Sequence, residues 1–290
     1  MTWILLAALL LVIYFTFDIS PKKKKQSIPV NMPARWKTIL MERVLFYQQL
    51  NGEQKIRFER DVIEFLSSVK ITGVRCEVTL EDRVLIASSG VIPLFGFPAC
   101  TYKNLEEVIL YPTTFNRQFQ LDDPDELITG MVGAGVMEGK MILSKPALHA
   151  GFDINTDREN TAIHEFVHLF DKENGFIDGV PPGLEKKTYA LPWLQLVHHK
   201  IADIVADRSD IRDYATTNPM EFFAVAGEYF FERPDLLKEN HPKLYALLVK
   251  VFNQDTAAFM SDQYKSREIG RNAPCLCGSG LKFKQCCWED

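Results

Sequence analysis

The sequence lacks the basic stripe that marks a nucleic-acid-binding surface. Its 33 lysines and arginines are outnumbered by 38 aspartates and glutamates, which gives a formal net charge of −5. We therefore expect no nucleic-acid partner. Internal repeats and low-complexity tracts are also missing, so solenoids and tail-like segments are disfavoured. The 290 residues are enough for one large domain with appendages.

Cysteines are scarce over most of the chain. Two of the six stand alone, at Cys76 and Cys100, and the next cysteine comes only at residue 275. The other four fall in the last sixteen residues. This clustering argues against a dispersed disulfide framework and favours a metal-binding knuckle. Thiolate zinc sites suit a reducing compartment. The clustered residues are Cys275, Cys277, Cys286 and Cys287.

An apolar run at residues 3–17 lacks the features of a cleaved signal peptide. No basic residue precedes it, and no small-x-small cleavage site follows it. With its neighbours it approaches the length of about 20 residues that a membrane helix needs. Four lysines follow at residues 22–25, and the positive-inside rule keeps such a cluster in the cytoplasm. We therefore predict a transmembrane anchor at residues 1–20 and a basic, proline-containing linker at 21–35. The protein is then a single-pass protein of the inner (cytoplasmic) membrane, with the chain after residue 25 in the cytoplasm.

The hydrophobic pattern of the middle of the chain predicts both helices and strands. Helical spacing predicts two helices in residues 36–69, divided at Asn51-Gly52, and a third over residues 81–94. Strands are predicted at residues 74–80 and 108–111. The alternating stretch 131–143 predicts a hairpin. An open strand of this hairpin would align an extended peptide by backbone hydrogen bonds; a purely structural hairpin is the alternative.

His-Glu-x-x-His occurs at residues 164–168, inside an apolar run. Residues four apart on a helix lie on one face, so His164 and His168 can bind one metal ion from the same side. Glu165 flanks that ion and can take a proton from a water bound to it. Asp157 or Asn160 is expected to cap this helix. The alternative is a buried helix with two core histidines.

A third metal ligand is expected from a later helix. Residues 214–231 form the densest candidate, with Asn218 as a cap and Pro219 at the first helical position. Glu221 and Glu228 lie two turns apart on one face among apolar residues. A carboxylate buried there must pair or bind metal. The other candidates lie on a more solvated helix predicted at residues 195–208 or in a later turn; they are Asp203, Asp207, His198, His199 and His241.

Two motifs together resemble the Mlc titration factor A family of zinc peptidases, over about residues 36–260. They are His164-Glu165-x-x-His168-x-x-Asp171 and Tyr214-x-x-x-Asn218-Pro219-x-Glu221. The resemblance implies an α+β fold with a zincin-like, gluzincin-type metallopeptidase core over residues 36–262.

The same resemblance implies roles for particular residues. Catalytic zinc would be held by His164, His168 and Glu221, with Glu165 as the general base. The Tyr214 hydroxyl would steady the oxygen that becomes negatively charged. In the mechanism that we expect from these residues, Asp171 or Glu228 would orient a ligand histidine.

The resemblance also implies a peptide or protein substrate, aminopeptidase activity among the options, and binding of a repressor of phosphotransferase sugar uptake. The alternative is a non-catalytic protein that sequesters a regulator on the same fold.

The carboxy-terminal segment 263–290 resembles the SEC-C motif. Four thiolates suit a closed, tetrahedral structural zinc site, so a second zinc ion is predicted. Gly278 and Gly280 permit the tight turn between the cysteine pairs. The resemblance implies a docking module whose partner is a transcriptional repressor or another protein. A metal-free, redox-sensitive thiol cluster is the alternative for its chemistry. A further alternative for the whole protein is a membrane quality-control protease that this segment recruits to its place of action.

Overall fold

The computed structural model describes residues 31–259, apart from residues 122–124, 155–156, 176, 183 and 185–186. Helices and a four-stranded sheet make up this part, which confirms the predicted α+β class. The predicted knuckle at residues 263–290 lies outside the described residues, and so does the predicted anchor at residues 1–20.

The predicted membrane location has to be corrected. Over the described ranges, none of the helices combines the length and the apolar character needed to cross a bilayer. The single-pass topology and the orientation derived from it are therefore withdrawn.

Three helices, not two, occupy the region before the sheet. They are α1 (Ala34–Arg43), α2 (Leu45–Gln49) and α3 (Gly52–Ser68). The additional break falls at Val44, which is extended and almost fully buried. Asn51 divides the last two, as predicted, because its side chain caps α3 by accepting a hydrogen bond from the Gln54 backbone N–H at 3.0 Å.

A central helix, α4 (Leu80–Leu94), is buried around most of its circumference and packs between α3 and the later metal-site helix. This helix was predicted. It begins with a reciprocal capping box, in which Thr79 and Asp82 each accept a hydrogen bond from the other's backbone N–H.

The sheet has the strand order β1-β2-β4-β3. Its strands are β1 (Lys70–Gly73), β2 (Glu107–Tyr111), β3 (Gly130–Val132) and β4 (Lys140–Ser144). The first three in spatial order are parallel, whereas β3 runs antiparallel to β4. The predicted hairpin and the strand at residues 108–111 are thus confirmed.

The strand predicted at residues 74–80 is wrong. Pairing with β2 ends at Gly73, where a β-carbon would lie 2.2 Å from the Cys76 carbonyl oxygen. The chain therefore turns tightly at Gly73.

The remaining helices contribute buried side chains to the main core, which also includes side chains of β1, β2 and β4. The predicted helix at residues 195–208 is longer and starts earlier than expected, and its Trp193 and Val197 are buried in the core. These helices are α5 (Lys145–Asp153), α6 (Thr161–Asp171), α7 (Lys187–Val205), α8 (Pro219–Glu232), α9 (Pro234–Asn240) and α10 (Pro242–Phe252).

Candidate metal centre and catalytic cleft

Helix α6 carries the His-Glu-x-x-His motif in the interior of the protein. Asn160 caps it, because its side-chain oxygen accepts a hydrogen bond from the Ile163 backbone N–H at 3.0 Å. Of the two predicted caps, Asn160 is therefore the one used. The helix continues as a 3-10 turn (Lys172–Asn174) and stops at Gly175, whose φ is +99°.

Three side chains converge at one point beside this helix. The Nε2 atom of His164 lies 3.1 Å from Nε2 of His168 and 2.9 Å from Oε2 of Glu221. The distance from His168 Nε2 to the same oxygen is 3.3 Å. Ligands placed about 2.1 Å from a tetrahedral zinc ion lie about 3.4 Å from one another, so the triangle is close to the size that zinc requires.

Glu221 reaches the histidines because of how α8 begins. Asn218 caps that helix by accepting from the Glu221 backbone N–H at 2.9 Å, and Pro219 occupies the first turn. The carboxylate is thereby fixed at the start of the helix, opposite α6.

The other candidate ligands lie elsewhere. Asp203 pairs with Arg208 and Lys200, and His241 is buried against Asp210.

Charge explains why a cation suits this point. Burial acts to lower the pKa of His164, but Glu228 and Glu221 outweigh it and raise that pKa to about 10. Burial acts to raise the pKa of Glu221, and the two histidines hold it below its ordinary range. A metal-free site therefore attracts protons, and a divalent cation competes for the same place.

Glu228 contacts the far side of the ligand His164. Its side chain is only 1% exposed, and its Oε1 atom lies 2.7 Å from His164 Nδ1. Asp171, the other residue expected to orient a ligand, accepts instead from the backbone N–H of Gly179 at 2.8 Å.

Glu165 lies next to the metal ligands and against strand β3. A β-carbon at Gly130 would come within 2.7 Å of its Cγ and Oε1 atoms, so the glycine leaves the space that the carboxyl group fills. Burial raises the pKa of Glu165, although the two histidines act to lower it.

Tyr214 lies on a 3-10 turn (Asp213–Thr216), with its ring centroid 5.8 Å from that of His164. Its side chain is half exposed. Partial burial, together with Glu221 and Glu165, raises its pKa, so the hydroxyl keeps its proton at neutral pH and can donate a hydrogen bond.

Two cavities meet at the metal ligands and form a cleft. One, of about 510 Å³, lies beside His164 and is lined in part by Asp157 and Arg212. The other, of about 390 Å³, lies beside His168 and has apolar walls that include Met131 and Met220. The ligand triangle is therefore reachable from outside along strand β3.

Comparison with known proteins decides the family. A family model described as glucose-regulated metallo-peptidase M90 matches residues 20–253. The chain belongs to the M90 metallo-peptidase family. A model of the SEC-C motif matches residues 271–289, which confirms the resemblance inferred for this M90 protein's carboxy-terminal segment.

Relatives of this M90 protein include two named Mlc titration factor A. The one from Edwardsiella ictaluri is 26% identical over 215 residues, 70% of this chain and 80% of that protein. The one from Yersinia enterocolitica is 25% identical over 257 residues, covering 84% and 94%. An uncharacterized Synechocystis protein, slr2042, is 29% identical over 242 residues, covering 79% and 87%.

Membership of a metallo-peptidase family points to a metal ion, and His164, His168 and Glu221 form a group that can hold one within the described part of the chain.

The sequence did not predict a role in the site for Arg212 or Gly130. A glycine just before a predicted hairpin gives only a weak signal, and nothing local marks Arg212.

Proposed function

We propose that this M90 protein is a zinc-dependent peptidase that hydrolyses peptide bonds in the cleft beside β3. The observation that carries the proposal is the convergence of His164, His168 and Glu221 on one point, with the buried carboxyl group of Glu165 adjacent to it. The two histidines and Glu221 would hold the ion. Zinc at such a site supplies Lewis acidity, which polarises a carbonyl group and acidifies water.

Each remaining step belongs to a side chain of this protein. Glu165 accepts the proton of the attacking water and later delivers it to the leaving amine. Its raised pKa suits a group that must both take and release a proton. The Tyr214 hydroxyl donates a hydrogen bond to the carbonyl oxygen as negative charge builds on it.

Strand β3 is suited to hold the substrate. It is the last strand of the described sheet, and its residues line the cavity beside His168. A peptide in extended conformation would add to this edge by backbone hydrogen bonds, which places a carbonyl group near the ligands.

The four carboxy-terminal cysteines would hold a second, structural zinc ion in the SEC-C segment, as a docking module for a protein partner. The name Mlc titration factor A, carried by relatives, supports a regulatory protein as that partner.

A peptide-library digest followed by mass spectrometry tests the proposal. Zinc-loaded protein should cleave peptides, a chelator should abolish cleavage, and Glu165→Gln should lower turnover by about 100-fold or more while zinc stays bound. Glu239→Gln, at an exposed glutamate on α9, is the matched control and should behave like the parent.

Two results would contradict the proposal: a Glu165→Gln protein as active as the parent, or zinc-loaded parent protein that cleaves nothing. The second result would favour the alternative of a regulator-binding protein on the same fold.

A further inference from the structure

We propose that Arg212 is a positioning residue: it fixes the metal ligand His164 through Glu228 and so sets how tightly the site holds its metal. The inference rests on the proposed function to the extent that His164 is taken as a ligand.

Both carboxylate oxygens of Glu228 have hydrogen-bond partners. Its Oε1 atom lies 2.7 Å from His164 Nδ1 and 2.5 Å from an Arg212 guanidinium nitrogen. Its Oε2 atom accepts the backbone N–H of Asn160 at 2.6 Å. The carboxylate therefore fixes both the ring of His164 and Asn160, the residue that caps the motif helix.

Arg212 binds two carboxylates at once. One terminal nitrogen contacts Glu228, and the other lies 3.2 Å from Oε1 of Glu159, which is half exposed in the loop before α6. A planar guanidinium can hold two such groups in one geometry, whereas an ammonium acts as a point charge.

The position of Arg212 in the chain extends its effect. It is the residue directly before the 3-10 turn that carries Tyr214. One side chain thus connects the Tyr214 segment, the loop before α6 and the interior of α8.

Charge balance indicates why the arginine is needed. Within the described residues, the ion pairs of Glu228 are those with His164 and Arg212. A histidine that binds a metal ion does so as a neutral ring. Arg212 then supplies the counter-charge for a carboxylate that is almost fully buried, and leaving such a charge uncompensated is costly. Without Arg212 we expect Glu228 to move, and His164 to lose the acceptor that orients it.

Metal affinity in the full-length protein tests this role. Cobalt(II) is the probe, because its absorption with thiolate ligands differs from that with histidine and carboxylate ligands, so the two sites are counted separately. Arg212→Gln should raise the dissociation constant of the histidine site by about 10- to 100-fold, the range typical of groups that orient metal ligands. With zinc, kcat should fall while KM changes little.

Companion variants separate positioning from general loss of structure. Arg212→Lys should recover part of the affinity. Glu228→Gln should weaken binding by a similar factor, and adding Arg212→Gln to it should weaken binding no further. Arg208→Gln, at an exposed arginine paired with Asp203, is the matched control and should bind cobalt like the parent.

The melting temperature of each metal-free protein shows whether it is folded. If Arg212→Gln fails to fold, the comparison of Arg212→Lys with the parent decides, because lysine keeps the charge and loses the two-pronged geometry.

Unchanged cobalt affinity in the folded arginine variants would overturn the inference alone. A parent protein that binds no cobalt at the histidines would overturn the proposed function as well.

Discussion

At the scale of single residues, Gly130 matters for the space it leaves. Glu165 occupies the volume that any side chain at this position of β3 would need. Gly130→Ala should therefore displace the carboxyl group and lower kcat by about 10- to 100-fold, because small misplacements of catalytic groups are costly. Steady-state kinetics measure the loss of kcat, and the zinc content of the purified variant shows separately whether metal binding has changed.

Zinc content should stay at the parent value in Gly130→Ala, since the ligands come from α6 and α8. Gly52→Ala is the control: a β-carbon there meets nothing within 4 Å. If Gly130→Ala and Gly52→Ala had the same kcat, the close approach of Gly130 to Glu165 would not contribute to catalysis.

The residues of the candidate site differ in how well the sequence predicts them. Helical spacing predicts that His164 and His168 share one face and can bind one metal ion. The sequence Asn218-Pro219-x-Glu221 predicts a capped helix with a carboxylate in its first turn. Arg212 could not be predicted in this way, because its role depends on Glu228, 16 residues later, and on Glu159, in another loop. Contacts of this kind exist only after the chain has folded.

At the scale of elements, the start of helix α4 depends on Asp82. This fully buried carboxylate caps the helix and lies 2.8 Å from Lys145 Nζ and 2.7 Å from His149 Nε2. Burial acts to raise its pKa, but the bonds from His149, Lys145 and Thr79 outweigh it and hold the pKa well below the ordinary value. Asp82 therefore stabilises the fold in its charged form.

Asp82→Asn should lower the free energy of unfolding at pH 7 by about 2 kcal/mol, because it removes the charge from a buried pair. An unfolded Asp has a pKa near 3.9. The stabilisation by Asp82 is thus complete above about pH 4 and is lost as the pH falls through the lower, folded-state pKa. The difference between variant and parent should shrink in acid, which urea unfolding at several pH values would show.

Asp153→Asn serves as the control for that series. Asp153 pairs with Arg43 at the surface, where its side chain is 59% exposed, so the variant should lose less than about 0.5 kcal/mol. If Asp82→Asn and Asp153→Asn lowered the free energy of unfolding equally, the buried contacts of Asp82 would add nothing to stability beyond what a surface ion pair gives.

Secondary structure was predictable wherever a local signal agreed with burial. The capped helices α4 and α6 and strand β2 have such signals. The break at Val44 and the end of β1 at Gly73 do not, because each is set by tertiary contacts: burial of one extended side chain, and pairing with β2. A one-residue interruption leaves the hydrophobic period almost unchanged.

At the scale of the whole molecule, the chain should carry two metal sites of different chemistry. Metal analysis of the purified protein should find two zinc ions per chain, and replacing Cys275 and Cys277 with serine should reduce the count to one. Cleavage of short peptides should persist in that variant, since the proposed ligands His164, His168 and Glu221 and the proposed base Glu165 all lie outside the SEC-C segment.

One zinc ion per chain, unchanged by the double substitution, would contradict the structural site. Loss of short-peptide cleavage together with loss of the second ion would contradict the separation of the two sites.

The ligand triangle also has a mechanical consequence. His164 and Glu221 are 57 positions apart, on helices α6 and α8. An ion bound by both closes that long loop as a crosslink would, and it binds only when the two helices are docked. By thermodynamic linkage, the resistance of the fold to heat and to proteases then rises with the concentration of free zinc. Removal of the metal should therefore make the fold itself easier to unfold and to digest, whatever its effect on catalysis.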